Sequence, residues 1–268
     1  MRTAWMAVLA MLATNLLPAQ VNPKVWNLIG PDDRLILGVN MDRYRQTAMN
    51  SINSGDSGLP FPGRSRYVIT IESNPQKGQR LIVLLGFSPA PVVSDESPSP
   101  TMLDATTAIV GDDERVRASV ARWSQEAPVS ELASEARKLG ESDDAWFLVI
   151  KPLALGNPIG SEGAPKHLRE VVDVVEQAAG GVRFGEYYQA HLDVRTKTSD
   201  DAYSLAALGR WLPGLIQAME PGGKASRLID LAEDLTVQAV GRTVMLSFAL
   251  PENKLAELLR KLQSDIVE

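Results

Sequence analysis

The sequence predicts an α+β protein, with antiparallel sheets whose helices pack mainly on one face and with two similar halves built from helix-hairpin-helix units. Two observations lead to this prediction. Apolar residues recur at helical spacing over residues 168–178, and apolar and polar residues then alternate strictly over residues 187–198. A second stretch of the same layout follows the Pro-Gly-Gly break at 221–223. The chain has 268 residues, 44% of them hydrophobic, which is enough to bury a core.

The N-terminus has the pattern of an export signal. Arg2 supplies a positive charge, residues 4–17 are almost wholly apolar, and residues 17–19 offer a site for a signal peptidase. A retained membrane anchor is the alternative, but the apolar run is shorter than the roughly 20 residues that span a bilayer. We therefore expect residues 1–20 to be a signal peptide, with no membrane span after cleavage, and a secreted or periplasmic protein.

Composition excludes several classes of function. The formal net charge is −6 and no cluster of Lys and Arg is found, so nucleic acid is not an expected partner. The chain has no cysteine, which excludes disulfides, thiolate metal sites and cysteine nucleophiles. No cofactor is predicted.

The elements of the N-terminal half, residues 21–155, follow from apolar runs and their breaks. A helix is expected after Asn40, a second opens at residue 112 with Val116, Val120 and Trp123 facing inward, and a third covers residues 130–139. Residues 53–66 and 88–100 are rich in Pro, Gly or Ser and are predicted to be loops. Strands are expected at 34–39, 67–72, 81–87, 106–110 and 145–150.

Residues 156–165 form a Gly/Pro-rich linker in this prediction, and the C-terminal half covers residues 166–268. Gly180 and Gly181 are predicted to stop the helix at 168–178, and Ser199 to cap the helix that follows the strand at 187–198. Further breaks and elements are expected as follows: a helix end or kink at Pro213, a helix at 228–235, strands about Val237 and over 244–250, a tight turn at Gly241 and Arg242, and a final helix from Pro251.

No catalytic or metal-ligating residue is predicted. Ser57 lies in a Gly-Asp-Ser-Gly motif that resembles the nucleophile of chymotrypsin-like proteases, but both histidines, His167 and His191, follow it in the chain. His191 and Asp193 share one face of a strand and could join His167 in a metal or acid-base site; a solvated, mixed-charge surface is the favoured interpretation. The acidic pairs at 32–33, 112–114, 143–144 and 200–201 are interpreted as turn and helix caps rather than calcium or glycosidase sites.

Three predicted strands, at 35–39, 81–85 and 145–150, carry large apolar residues on both faces and need cover on both sides. Helices or a second sheet could supply the cover, and this interpretation is favoured. The sharper hypothesis is an apolar cavity for a lipid-like ligand. Its lining residues would be Ile36, Ile82, Leu84, Phe147 and Val149.

Three stretches, together with the leader, carry a resemblance. They are Pro-Asp-Asp-Arg-Leu-Ile-Leu-Gly-Val-Asn at 31–40, Ala-Ile-Val-Gly-Asp-Asp at 108–113 and Pro-Glu-Asn at 251–253. In these features the chain resembles uncharacterised secreted bacterial α+β proteins of the domain-of-unknown-function type. The resemblance implies an exported α+β protein and brings no functional residues.

The expected function is that of an exported, non-catalytic binding or structural protein whose partner is an unknown protein or an apolar ligand. A periplasmic carrier of an apolar, lipid-like ligand is the first alternative. A hydrolase whose site comes together only in space is the second, and it would require polar side chains such as His191 to converge in a cleft.

Overall fold

A single antiparallel sheet of ten strands is the framework of the protein. The structure, a computed structural model, describes residues 21–47, 65–74, 79–87, 99–125, 130–150, 173–219 and 235–254. In these ranges the strand order is β4-β5-β3-β2-β1-β6-β7-β8-β10-β9, and every neighbouring pair is antiparallel. The strands are β1 Leu35–Asn40, β2 Tyr67–Asn74, β3 Gln79–Leu85, β4 Thr101–Met102, β5 Thr107–Gly111, β6 Ala145–Ile150, β7 Val175–Arg183, β8 Tyr187–Thr196, β9 Thr236–Val240 and β10 Thr243–Pro251.

The described helices are fewer than the strands. They are a 3-10 helix Pro23–Leu28 and the α-helices α1 Met41–Tyr44, α2 Asp113–Trp123, α3 Glu131–Ser142 and α4 Ser199–Met219. Helix α3 runs past Gly140 and α4 runs past Pro213, two positions where the sequence predicted an end or a kink. In α2, Val116 and Trp123 pack on the core as expected, whereas Val120 is exposed and Ser119 is buried in its place.

The predicted fold class is wrong, because the chain is mostly β. One antiparallel sheet replaces the two similar halves built from helix-hairpin-helix units. Val175 and Ala178, which supported a helix, lie in strand β7, and Gly180 and Gly181 lie within that strand instead of ending a helix. β7 is an interior strand paired on both sides, and apolar runs of such strands cannot be told from buried helices by spacing alone.

Helices also cover different faces of the sheet in different places, so the expectation of helices mainly on one face is wrong as well. We call the face that bears Ile36, Trp146 and Leu148 face A, and the opposite one face B. The 3-10 helix, α2 and α3 pack on face A and enclose a core with residues of β1, β2, β3, β5, β6 and β7. Helix α4 packs on face B, where Ala202 and Ala206 contact the β8, β9 and β10 region.

The predicted strands at 34–39, 67–72, 81–87, 106–110, 145–150, 187–198 and 244–250 are confirmed within a few residues. The tight turn at Gly241 is also confirmed, since Gly241 has a φ of 58°, which only glycine adopts readily. Strand β6 pairs with β7, so the sheet continues from the predicted N-terminal half into the predicted C-terminal half. The signal peptide, the linker at 156–165, Ser57, His167 and most of the helix at 228–235 lie outside the described residues, and the domain boundaries stay a prediction.

Candidate functional site

A cleft of about 490 Å³ lies on face A, over the strands of the β7, β8 and β10 side, next to the end of α3. This is the part of face A beyond the helices that cover the core. Its lining is mainly polar: Ser142, Asp143, Arg183, Gln189, Ala190, His191, Thr236, Ser247, Phe248 and Ala249. These described residues supply one acid, two basic side chains, three hydroxyl groups and one side-chain amide.

Strand register places four of the positions around the cleft in one row across the sheet. Gly181 of β7 lies opposite His191 of β8, His191 lies opposite Ser247 of β10, and Ser247 lies opposite Thr236 of β9. Residues directly opposite on antiparallel strands point to the same face, with Cβ atoms about 4.5–5.5 Å apart. The imidazole of His191 therefore has a hydroxyl on one side and a position without a side chain on the other.

Asp143 fills the space that Gly181 leaves. A Cβ atom at Gly181 would lie 2.4 Å from the Asp143 Cγ, so the carboxylate occupies the volume of the missing side chain. Its Oδ1 lies 3.6 Å from Nδ1 of His191, and its Oδ2 accepts a hydrogen bond from the Ser142 hydroxyl. Only 3% of the Asp143 side chain is exposed, against 34% for His191. The acid is thus a buried partner of the histidine, and the histidine faces the cleft.

The backbone around Asp143 is held by both α3 and β7. The Asp143 N–H donates to the Leu139 carbonyl as the last turn of α3, and the Asp144 N–H donates to the Val182 carbonyl. The Asp144 carboxylate accepts from the Phe184 N–H at 2.8 Å. These bonds fix the end of the helix against the strand, which places the Asp143 side chain over Gly181.

Hydrogen-bond donors dominate the solvent-facing side of the cleft. The Nε of Arg183 donates to the Ser142 carbonyl at 2.9 Å, which orients an exposed guanidinium at the rim. Gln189 and Ser247 are exposed, and both can donate. Among the described residues of the lining, Asp143 carries the one carboxylate, and it already contacts Ser142 and His191. The accessible groups therefore suit a ligand with negative charge and acceptor atoms.

Of the five predicted ligand-binding residues, Ile36 points to face A and the other four point to face B. Ile36 is 1% exposed in the core on face A. Ile82 and Leu84 belong to a separate cluster on face B with Phe87, Ala108 and Val110. Phe147 and Val149 alternate with the face A residues of β6, so they point to face B, and both are half-buried. The five residues do not line one common cavity, and contact of any of them with a ligand stays a prediction.

The other polar residues considered from the sequence do not all lie in the cleft. Asp193 shares face A with His191 but is outside the cleft lining. Among the described residues, no group of three or more His, Asp or Glu side chains could hold a metal ion. Of the acidic pairs interpreted as caps, Asp201 accepts from the Thr198 N–H, and Asp33 accepts from the Gly30 N–H. Asp112 makes no side-chain cap bond.

Sequence reasoning missed the roles of Asp143, Arg183 and Ser247 in the cleft. His191 was placed on the polar face of a predicted strand, so part of the row could be read from alternation. Asp143 was interpreted as a cap, and its 48-residue separation from His191 in the chain carries no signal of contact. The glycine pair at 180–181 was the available hint, because glycine inside a strand often marks the close approach of another group.

Comparisons with known proteins find no match: no family model, no curated protein and no solved structure matches the chain. The similarity to secreted bacterial proteins therefore stays a prediction. In the part of the chain that the structure describes, no helix has the length and apolarity to cross a bilayer.

Proposed function

We propose that the protein is an exported binding protein that holds a small, carboxylate-bearing ligand in the cleft on face A. The observation that carries the proposal is the cleft itself, in which exposed donor groups surround a histidine backed by a buried acid. Buried or half-buried charges usually have a functional or structural partner, and a concave site with convergent polar groups is the default location for a ligand.

Arg183 gives the cleft its preference for a carboxylate. Its Nε is engaged by the Ser142 carbonyl, so the terminal nitrogens can take a carboxylate in the paired geometry that guanidinium groups favour. Charge-assisted bonds of this kind contribute roughly 1.5–3 kcal/mol. The acidic net charge of the chain makes nonspecific anion binding elsewhere less favourable, which sharpens a local preference.

An apolar ligand has less support as the cargo, because Ile36 is buried in the face A core, and Ile82 and Leu84 on face B pack with Phe87, Ala108 and Val110. The polar cleft needs no such cavity. Binding of a polar ligand is also consistent with the original expectation of a non-catalytic binding protein.

Titration of the isotope-labelled protein with succinate tests the proposal. We expect the backbone amide signals of Gly181, His191 and Ser247 to shift in a saturable way, while the amide of Ile71, deep in the face A core, stays in place. The uncharged analogue succinamide should bind far more weakly. Equal shifts with both compounds, or none with either compound or with a set of other small carboxylates, would contradict the proposal.

An Arg183→Ala variant isolates the role of the guanidinium. Its dissociation constant for succinate should rise roughly tenfold or more, in line with the loss of a charge-assisted bond. Arg117→Ala is the matched control, because Arg117 is an exposed arginine on α2 whose Nε donates to the Asp113 carbonyl, away from the cleft. The control should bind succinate as the unaltered protein does.

A further inference from the structure

We propose that the cleft also hydrolyses esters, with Ser247 as the nucleophile and His191 as the general base. Asp143 acts as a positioning residue that holds the imidazole. The substrate class is an ester of a small acid that carries a second carboxylate, so this inference rests on the proposed binding function. It adds a reaction to a site that would otherwise only bind.

The linear order of the three side chains supports the inference. The Asp143 carboxylate lies over Gly181, and it faces Nδ1 of His191 at 3.6 Å. The second ring nitrogen, Nε2, is separate from Nδ1, so one imidazole can face an acid through Nδ1 and serve a hydroxyl through Nε2. Ser247 lies directly opposite His191 on the neighbouring strand, on the side away from Gly181. Acid, imidazole and hydroxyl thus follow each other across β7, β8 and β10.

This order is the one that nucleophilic hydrolysis by a serine requires. The acid orients the imidazole and stabilises its protonated form, and the imidazole takes the proton from the hydroxyl. The arrangement is recognised by geometry and not by chain order, and it recurs on unrelated folds. Here the chain order is Asp143, His191, Ser247, and the residues come from the end of a helix and two strands.

The reaction balances with water as the only co-reactant. The Ser247 Oγ forms a bond to the ester carbonyl carbon while its proton passes to Nε2 of His191. The bond from that carbon to the alkoxy oxygen then breaks, and the alcohol leaves with the proton. Water attacks the resulting acyl-serine, gives a proton to His191 and releases the acid, and the returned proton restores the Ser247 hydroxyl.

Arg183 determines which esters are favoured. The guanidinium at the rim binds the second carboxylate of the acyl part and so directs the carbonyl toward Ser247. Mono-4-nitrophenyl succinate should therefore react with a kcat/KM at least about tenfold above that of 4-nitrophenyl acetate. Arg183→Ala should remove this difference, and Arg117→Ala, which alters an exposed arginine outside the cleft, should keep it.

The nucleophile is tested by covalent labelling and by turnover. A fluorophosphonate probe should add to the peptide that contains Ser247, as mass spectrometry would show, and Ser247→Ala should lose both the label and on the order of a thousandfold in kcat. Ser204→Ala is the control, because Ser204 is an exposed serine on α4 at the opposite face. A label on another residue, or turnover that survives Ser247→Ala, would overturn the inference.

The roles of the other two residues have separate tests. Asp143→Asn should lower kcat about a hundredfold or more with little change in KM, because an amide cannot stabilise the protonated imidazole. His191→Ala should be inactive and regain turnover when imidazole is added, above the rate that imidazole gives with Ser247→Ala. An unchanged kcat for Asp143→Asn, or no rescue of a folded His191→Ala protein, would contradict these roles.

Failure of the activity and failure of the binding function give different results. If Ser247→Ala and the unaltered protein both bind succinate, but neither turns over the ester nor takes the label, the site binds and does not catalyse. If succinate does not bind at all, the proposed function itself is wrong.

Discussion

At the scale of single residues, the hydrogen bond between Trp146 and Tyr67 connects two strands of the face A core. The indole N–H of Trp146 donates to the Tyr67 oxygen at 2.5 Å, and both side chains are nearly inaccessible. Burial is the main cause that raises the pKa of Tyr67 to about 12, while the bond from Trp146 lowers it and Asp144 and Asp143 raise it. The neutral phenol is therefore the form that the folded protein favours.

This raised pKa predicts a loss of stability at alkaline pH. The stabilisation is complete below the unfolded pKa of about 10 and is lost as the pH rises through about 12. Tyr67→Phe leaves the Trp146 N–H buried without an acceptor and should cost about 1–3 kcal/mol of unfolding free energy at pH 8. We expect its deficit against the unaltered protein, measured by urea denaturation, to shrink between pH 10 and pH 12.

Tyr187→Phe is the control for that measurement, since Tyr187 is 57% exposed and removing its hydroxyl leaves no buried donor. Its unfolding free energy should follow the unaltered protein at every pH. A deficit of Tyr67→Phe that stays constant up to pH 12 would show that Tyr67 does not titrate in this way.

Individual residues also show why the site could not be predicted from sequence. Alternation placed His191 on the polar face of its strand correctly. It could not show that Asp143, at the end of a helix, reaches the same place, because that contact depends on the missing side chain at Gly181. The glycine was interpreted as a helix stop, which is its commonest local meaning near apolar runs.

At the scale of elements, the start of α4 has a reciprocal cap formed by Thr198 and Asp201. The Thr198 Oγ1 accepts from the Asp201 N–H at 3.1 Å, and the Asp201 carboxylate accepts from the Thr198 N–H and hydroxyl. The sequence predicted Ser199 for this role, one residue too late. Both candidates are polar hydroxyl residues, and only the turn of the chain decides which of them precedes the first helical residue.

The cap gives a matched pair of substitutions. Thr198→Ala should lower the free energy of unfolding by about 1 kcal/mol, whereas Ser199→Ala should change it by no more than a few tenths. Urea denaturation of the two variants beside the unaltered protein measures both values. A larger loss for Ser199→Ala than for Thr198→Ala would place the cap at the predicted position instead.

Strands were predicted more reliably than helices. Strands β1, β6, β8 and β10 have either clear alternation or strong β-formers, and the structure confirms them. Strand β7 contains Ala-Ala-Gly-Gly, which has low strand propensity, and its place between β6 and β8 overrides that preference. Gly180 is also needed there, because a Cβ atom at this position would lie 2.9 Å from the Phe147 ring.

At the scale of the whole molecule, β6 and β7 join the strands of the two predicted halves, and Leu148 lies at this junction. Leu148 is fully buried and opposite both Ile36 and Ala179. Leu148→Ala should cost about 2–5 kcal/mol. If the sheet unfolds as one unit, hydrogen exchange should speed up in the amides of β8 and β10 as well as in those of β1 and β2.

Leu208→Ala is the control, because Leu208 is 42% exposed on α4. Its exchange rates should match those of the unaltered protein. Faster exchange confined to β1, β2 and β6 in Leu148→Ala would show that the two sides unfold independently, as the predicted domain boundary implies.

Helices cover face A on one side of the sheet and face B on the other. This change of cover leaves the polar cleft on face A, whose wall and floor come from distant parts of the chain. The wall is the last turn of α3, and the floor is the pair of strands β8 and β10. Separation of the sheet between β6 and β7 would move the last turn of α3 away from β8 and β10. A ligand in the cleft therefore contacts both sides of the sheet. Its binding should raise the melting temperatures of the N-terminal and C-terminal parts of the sheet together.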